Sequence, residues 1–236
     1  MRINTKYRTN EPEIMDDFSL QGEELRDALD KIAKINQLLG GNKLTLQGLK
    51  AILPKGTKNL IKIIDVGCGN GDMLRTIADF GSQNGYNFQL VGIDANAFTI
   101  NHAAKLSSQY QNISYICDDI FTMDPSKLIC EIVVCTLTLH HFKDDEIVEI
   151  LNIFKKSAKL GIVINDLQRS AVAYRLFQLL CVIIGLNRMS REDGLVSILR
   201  GFKKEELIAF SEKLNFKKYS IDWKWAFRYQ WIIQNI

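Results

Sequence analysis

The chain has 236 residues, of which 47% are hydrophobic and 24% charged, a composition that suits one large folded domain, or one domain with an accessory segment. Its net charge of +3 is too small to indicate nucleic acid or an acidic membrane as a partner. The five cysteines lack metal-ligand spacing, so we expect reduced thiols in a cytoplasmic protein and no metal site. The longest apolar run covers residues 179–186, far fewer than the ~20 residues needed to span a bilayer.

The first 55 residues are predicted to form an irregular arm followed by a helical cap. Residues 1–18 have no clear period, whereas the apolar residues from 23 to 39 fall on one helical face. A short second helix is predicted at residues 46–53, because a proline follows it directly. The main domain is then expected to cover residues 56–236.

Five strand-like runs alternate with helix-like segments from residue 60 onwards. The runs read LIKIIDV, FQLVGIDA, ISYICD, EIVVCTLTL and LGIVIND. Each is apolar at consecutive positions, which is typical of strands buried on both faces. The pattern therefore predicts an α/β fold, with a parallel sheet and helices at residues 72–80, 95–106 and 144–156 on either side of it.

The C-terminal part of the chain has a different pattern. RSAVAYRLFQLLCVIIGL is predicted to be a long apolar helix; packing in the core is the favoured interpretation, and an apolar wall for a lipophilic acceptor is the alternative. A polar turn and a helix at residues 203–214 should follow, and the start of that helix should fray because Lys203 cannot cap it. FKKYSIDW and FRYQWIIQ alternate like the two strands of a terminal hairpin.

A glycine-rich loop follows the first strand, in the sequence IIDVGCGNGD. A strand that leads through such a loop into a helix presents backbone N–H groups to a ligand. The even spacing of Gly67, Gly69 and Gly71 does not match the G-x-G-x-x-G fingerprint of NAD-binding proteins. Asp65, just before the loop, suits a ligand that carries an ammonium or sulfonium group. Asp94 ends the second strand, where a carboxylate can accept hydrogen bonds from ribose hydroxyls.

Over residues 58–166 the sequence resembles the class I S-adenosylmethionine-dependent methyltransferases. DVGCGNGD resembles their cofactor loop, CDDI their adenine-binding segment, and LTLHHF a motif after the fourth strand of many members that act on small molecules. The resemblance implies a Rossmann-like sheet of seven mostly parallel strands, whose last hairpin contributes the antiparallel strand. It also implies S-adenosyl-L-methionine as the cofactor, bound by Asp65, Gly67, Cys68, Gly69, Gly71, Asp94, Ala95, Asp119, Ile120 and Thr136.

Three further stretches, EIMDD with LRDALDKIAKIN, INDLQRSAVAYRLF and EDGLVSILRGF, resemble a bacterial subgroup associated with phenolic or polyketide-type metabolites. This narrower resemblance implies a small-molecule acceptor, with a hydroxyl of a phenolic, quinol or polyketide-like compound preferred. Methylation at carbon or nitrogen and a non-catalytic cofactor-binding protein stay open as alternatives. A nucleic-acid methyltransferase is disfavoured, because the Pro-Pro-aromatic motif of those acting on exocyclic amines is replaced by CTLTLHHF. The sequence does not fix the oligomeric state.

His140 and His141 follow the fourth strand and are the candidate catalytic bases. Because adjacent residues of an extended chain face opposite ways, one of them at most should meet the acceptor, and His140 is slightly preferred. The alternative is that a histidine only orders the loop. The candidate substrate-binding residues are Asn165, Arg169, Tyr174 and Arg200. Asp166 shares the end of the fifth strand with Asn165 and is equally suited to cap the next helix.

Overall fold

The computed structural model describes residues 3–234 and, within them, seven strands: β1 (Leu60–Val66), β2 (Asn87–Asp94), β3 (Ile113–Cys117), β4 (Cys130–Thr136), β5 (Ala158–Leu167), β6 (Lys218–Lys224) and β7 (Arg228–Gln234). They form one sheet in the order β3-β2-β1-β4-β5-β7-β6. The first five strands are parallel, and β7 runs antiparallel to its neighbours β5 and β6. The predicted Rossmann-like, mostly parallel seven-stranded sheet with a terminal hairpin is confirmed.

The α-helices of the described residues are α1 (Glu23–Leu38), α2 (Gly41–Ile52), α3 (Asp72–Asn84), α4 (Ala97–Leu106), α5 (Pro125–Leu128), α6 (Asp144–Ser157), α7 (Ala171–Ile184), α8 (Arg188–Arg200) and α9 (Lys204–Lys213). Within residues 3–234, none of these helices has the length and apolarity required to cross a bilayer.

The sheet separates two apolar cores because successive residues of a strand point to opposite faces. Ile63 packs into one core together with Leu49 of α2 and Leu74 of α3. Ile64, the next residue of β1, packs into the other core with Phe154 of α6 and with Trp231. α2 is thus part of the layer that covers the sheet. The segment up to residue 55 therefore shares its core with the main domain.

The start of α2 and the end of α3 differ from the predicted positions. In both cases a glycine lies inside the helix. α2 begins at Gly41 and not near residue 46, with Gly40 in the left-handed conformation before it. α3 continues through Gly81, whose missing side chain leaves room for the ring of Phe88. It ends at Gly85, where φ is +68°.

Helix α8 lies where a polar turn was predicted. Its buried face is mostly polar and includes Ser190, Asp193, Ser197 and Arg200. An apolar period of 3.6 residues is the main signature of a helix in a sequence, and this face does not have one. The prediction of a turn was therefore wrong.

Helix α7 is apolar on two opposite sides. Ala173, Phe177 and Leu180 line a large cavity on its inner side. On its outer side Val182 and Ile183 are 81% and 72% exposed. Packing of the whole helix in the core, the favoured interpretation, is therefore wrong, and the inner side has the position expected of a cavity wall.

The start of α9 is held by a side chain that reaches back to it. A carboxylate oxygen of Glu206 accepts the backbone N–H of Lys203 at 2.7 Å. The same carboxylate pairs with the buried guanidinium of Arg169 at 2.6 Å. Because one of the free N–H groups of the helix is satisfied in this way, the expected cause of fraying is offset.

Candidate active site

A cavity of about 1420 Å³ opens at the carboxyl ends of the parallel strands. The strand-end loops form its floor, and the N-terminal arm, α1, α7 and α8 form its walls. Single-ligand pockets usually measure about 300–1,000 Å³, so this cavity is large enough for a cofactor and an acceptor together.

The glycine loop between β1 and α3 leaves its backbone open to the cavity. Gly67 and Gly69 have φ of +70° and +52°, the left-handed region that favours glycine. A side chain on Gly67 would collide with Thr138, whereas one on Gly69 would meet only Leu29, at 4.0 Å, and point into the cavity. The N–H group of Gly67 donates to the carbonyl of Ile93 at 2.8 Å, which fixes the loop to β2.

Gly71 lies outside the cavity, unlike the other residues that were predicted to bind the cofactor. It precedes α3 with φ of +76°, and a side chain there would collide with the hydroxyl of Tyr115. It does not line the cavity, whereas the other predicted cofactor residues all do. Gly71 therefore serves the turn into the helix.

Asp65 brings an unpaired carboxylate oxygen to the cavity. The residue is 2% exposed, and its Oδ1 has no hydrogen-bond partner among the described residues. Burial, assisted by the negative charges of Asp72 and Asp94, raises the pKa of Asp65 well above its ordinary value. A buried acceptor without a partner is costly, so the site fits a ligand whose ammonium group donates to this oxygen.

Asp94 connects the glycine loop to the start of α4. One of its oxygens accepts the N–H of Gly69 at 3.1 Å and the other accepts the N–H of Asn96 at 3.0 Å. Burial raises the pKa of Asp94, and these two hydrogen bonds oppose that shift. A carboxylate has about four lone-pair sites, so both oxygens can still accept hydrogen bonds from hydroxyl groups of a ligand.

The remaining predicted cofactor residues lie around the same part of the cavity. The Oδ1 atom of Asp119 accepts the N–H of Phe121 at 3.0 Å, which orients the carboxylate after β3. Ile120 is 6% exposed and faces the cavity. Thr136, at the end of β4, shares a hydrogen bond of 3.1 Å with the hydroxyl of Thr45.

The two histidines lie side by side in a 3₁₀ turn, Leu139–His141. Their ring centroids are 4.4 Å apart, and both residues line the cavity. The expectation that they face opposite ways assumed extended chain and is wrong here. His140 is 2% exposed, whereas the side chain of His141 is 27% exposed.

His140 is held by Asp166. Its Nδ1 atom lies 2.7 Å from Oδ1 of Asp166, and its backbone N–H donates to Oδ2 at 3.2 Å. Burial would raise the pKa of Asp166, but the interaction with His140 outweighs it and holds the pKa below its ordinary value. The ionised carboxylate accepts a hydrogen bond from the N–H group at Nδ1, so neutral His140 has its lone pair on Nε2. Asp166 does not cap α7, since the hydroxyl of Ser170 does so.

The N-terminal arm brings two acids to the histidines. Asp16 lies 2.7 Å from Nδ1 of His141 and 2.6 Å from the guanidinium of Arg200. Burial would raise the pKa of Asp16, but hydrogen bonds from His141 and Arg200 outweigh it and hold the pKa below its ordinary value. Glu13 is buried, and burial raises its pKa to about 7.

Sequence reasoning did not assign a function to Glu13. The segment EIMDD has no helix or strand period, and the contact of Glu13 with the hydroxyl of Ser197 joins positions 184 residues apart. Its appearance in the narrower resemblance was the only signal in the sequence. A site residue on an irregular arm can be recognised only in the folded structure, where the arm packs against the rest of the chain.

Three of the four predicted substrate-binding residues, Arg200, Asn165 and Arg169, have structural partners. Arg200 lines the cavity but donates to Asp16 and to the carbonyls of His140 and His141. Asn165, Arg169 and Tyr174 do not line the cavity. Asn165 donates to the carbonyl of Gly41 and the hydroxyl of Thr45, whereas Arg169 pairs with Glu206 and with carbonyls of the arm. Their positions favour support of the walls over contact with an acceptor.

One group of potential metal ligands exists among the described residues. Glu13, His140 and His141 each offer one atom within 4.8 Å of the others. However, the Arg200 guanidinium lies 3.7 Å from the same Glu13 oxygen and already supplies a positive charge there. A divalent cation would be repelled by it, so the arrangement favours an acid–base cluster.

A protein-family model described as a methyltransferase domain matches residues 63–161, which contain the glycine loop, Asp94, Asp119 and both histidines. The match identifies this segment as a methyltransferase domain. The enzyme uses S-adenosylmethionine as its cofactor. No protein with a curated description matches the sequence.

Solved methyltransferase structures share the fold. The plantazolicin methyltransferase BpumL in complex with SAH is 17% identical, with a TM-score of 0.65 over 88% of this chain and 89% of that one. The magnesium protoporphyrin IX methyltransferase ChlM from Synechocystis PCC 6803 with bound SAM is 11% identical, with a TM-score of 0.56 over 93% and 87%. A SAM-dependent methyltransferase from Aquifex aeolicus is 14% identical, with a TM-score of 0.60 over 92% and 100%.

Proposed function

We propose that this methyltransferase transfers a methyl group to a hydroxyl of a small phenolic, quinol or polyketide-like molecule. The observation that carries the proposal is the contact of 2.7 Å between Asp166 and His140, which lines the cavity. A histidine oriented by an ionised carboxylate is a suitable acceptor for the proton of a hydroxyl group.

The residues around the glycine loop are proposed to hold the cofactor. Asp65 pairs with its ammonium group, Asp94 accepts its ribose hydroxyls, and Asp119 with the N–H of Ile120 binds its adenine. The unpaired Oδ1 of Asp65 and the open backbone at Gly69 support these roles. S-Adenosylmethionine, when bound, supplies a methyl group on a sulfonium, whose C–S electron pair stays on sulfur as the acceptor oxygen forms the C–O bond.

The chain itself handles the proton and the geometry. Nε2 of His140 takes the proton of the hydroxyl, and Asp166 stabilises the imidazolium that forms. The arm and α7 cover the cavity and limit the access of water. Orientation of the two reactants can contribute about 7–11 kcal/mol, and a positioned base contributes about 10²–10⁴-fold in rate.

The walls of the cavity support an uncharged, largely apolar acceptor. Leu176, Phe177 and Leu180 of α7 line it opposite the arm. Three arginines line the cavity; Arg8 and Arg200 are engaged by acids of the chain itself, Asp144 and Asp16, whereas Arg228 is buried and donates to the amide oxygen of Asn36. An acidic acceptor that bound to Arg8 or Arg200 would have to displace one of these pairs.

The test is to identify the product formed from isotopically labelled S-adenosylmethionine by mass spectrometry. 5-Pentylresorcinol, its dimethyl ether and 4-pentylaniline serve as probes with similar apolar tails. We expect the label on an oxygen of the resorcinol and none on the ether. Label on the aniline nitrogen or on a ring carbon, with none on oxygen, would contradict the proposed acceptor.

A further inference from the structure

Two buried polar atoms face each other in the cavity wall without a partner. Oε1 of Glu13 and Nε2 of His140 have no hydrogen-bond partner among the described residues. They are 3.7 Å apart, beyond the length of a hydrogen bond. Both residues are almost fully buried, and both line the cavity. Unsatisfied polar atoms are rare in protein interiors, and two in one place call for a ligand that contacts both.

The other polar atom of each side chain is already used. Oε2 of Glu13 accepts a hydrogen bond from the hydroxyl of Ser197 at 2.8 Å. Nδ1 of His140 is engaged by Asp166 at 2.7 Å. Each residue therefore offers one atom to a ligand, and its orientation is fixed by a partner.

We infer that Glu13 and His140 form a subsite for a neutral hydroxyl group of the acceptor, in which Glu13 is a further catalytic residue that acts as an un-ionised acid. This inference rests on the proposed function. A hydroxyl group is at once a donor and an acceptor. It donates to Nε2 of His140 and accepts from the carboxylic acid of Glu13, so that both buried atoms gain a partner.

The environment of Glu13 favours its protonated form more than water favours that of an exposed carboxyl group. Burial raises its pKa to about 7, and Asp16 adds to that effect, whereas His141, Ser197 and Arg200 oppose it. Asp193 of α8 binds the adjoining arm through the N–H groups of Ile14 and Met15. A carboxylic acid kept neutral by its surroundings can donate a hydrogen bond to an oxygen that becomes negative.

The proton balance of this subsite is simple. The O–H bond of the acceptor breaks, its electron pair stays on oxygen, and its proton goes to Nε2 of His140. Glu13 keeps its own proton and stabilises the charge that develops on that oxygen. After the C–O bond has formed, His140 loses the proton to solvent.

The test compares Glu13→Met, which removes the hydrogen-bonding group, with Glu13→Gln, which keeps a donor but cannot ionise. Glu11→Gln, at an exposed position of the same arm, is the matched control. We measure the binding of 5-pentylresorcinol to the enzyme saturated with S-adenosylhomocysteine, the demethylated cofactor product. We expect about tenfold weaker binding in Glu13→Met, from the loss of one hydrogen bond, and wild-type binding in Glu11→Gln.

The pH profile provides a second measurement that a merely structural role of Glu13 would not change. The wild-type single-turnover rate should decline as Glu13 ionises above pH of about 7, and Glu13→Gln should lack this decline. Equal binding of the resorcinol by wild type and Glu13→Met, or the same alkaline decline in Glu13→Gln, would overturn the inference. One equivalent of a bound metal in the purified enzyme, found by elemental analysis, would also overturn it. Absence of methyl transfer to oxygen by the wild type would instead refute the proposed function.

Discussion

Asp94 has two tasks, because the carboxylate proposed to bind the ribose also accepts the N–H groups of Gly69 and Asn96. Asp94→Ala should weaken cofactor binding by roughly 2–4 kcal/mol, from the loss of two charge-assisted hydrogen bonds. It should also lower the free energy of unfolding by about 1–3 kcal/mol, because the loop loses two acceptors. Calorimetric titration and chemical denaturation measure the two effects.

The exposed carboxylate of Asp79 on α3 provides the control. Asp79→Ala should leave cofactor binding unchanged. If Asp94→Ala bound the cofactor like wild type while its stability fell, the ribose role would be refuted and only the structural role would remain.

Glu13 should make the stability of the protein depend on pH. Its pKa rises from 4.5 in the unfolded chain to about 7 in the folded protein, so the folded state retains a proton that the unfolded state has lost. Relative to Glu13→Gln, the wild type should therefore lose about 3 kcal/mol of stability between pH 4.5 and about 7, and no more above it. Denaturation of both proteins at several pH values checks this. A constant difference across that range would contradict a buried, neutral Glu13.

The residues of the cofactor half could be predicted because their signals are local. Asp65, Gly67 and Gly69 stand in one short loop directly after a strand, and Asp94 ends the next strand. The acceptor half could not be predicted in this way. Glu13 and its partner Ser197 are 184 positions apart, and only the folded chain brings them together.

At the level of elements, the contact between α8 and the N-terminal arm holds the wall of the cavity in place. The carboxylate of Asp193 accepts the N–H groups of Ile14 and Met15 at 2.7 and 3.0 Å. Asp193→Ala should lower the free energy of unfolding by about 1–3 kcal/mol, because two partly buried donors lose their acceptor. Hydrogen exchange at Ile14 and Met15 should become faster.

The neighbouring Glu192→Ala is the matched control, because Glu192 pairs with the exposed Arg188 on the same helix. Such a surface pair contributes about 0–1 kcal/mol. Protection of the arm amides that is equal in the Asp193 and Glu192 variants would show that Asp193 does not hold the arm.

The polar face of α8 also explains why this helix was not predicted. Core strands such as β1 are largely apolar at consecutive positions, and their position in a parallel sheet follows from that pattern. α8 is buried through serine, aspartate and arginine side chains that bind the arm. The residues that repeat with the helical period are polar. That these residues are buried becomes evident only from their partners in the folded structure.

For the whole molecule, the position of the cavity follows from the sheet. The carboxyl ends of β1, β2 and β4 meet at one edge, where ligands of open α/β folds bind. A cofactor that binds only the folded state should stabilise the whole domain. At 100 times its dissociation constant, S-adenosylmethionine should add about 2.7 kcal/mol, measured as a shift of the denaturation midpoint. A shift with NAD but none with S-adenosylmethionine would contradict the assigned cofactor.

The single-turnover rate of methyl transfer to 5-pentylresorcinol, compared between wild type and His140→Gln, tests the central claim most directly. Glutamine cannot take up the proton, so the rate should fall by about 10²–10⁴-fold, while the affinity for S-adenosylhomocysteine stays unchanged. His102→Gln is the control, because His102 pairs with Asp30 away from the cavity and should leave the rate unchanged. A wild-type rate in His140→Gln would show that His140 is not the base.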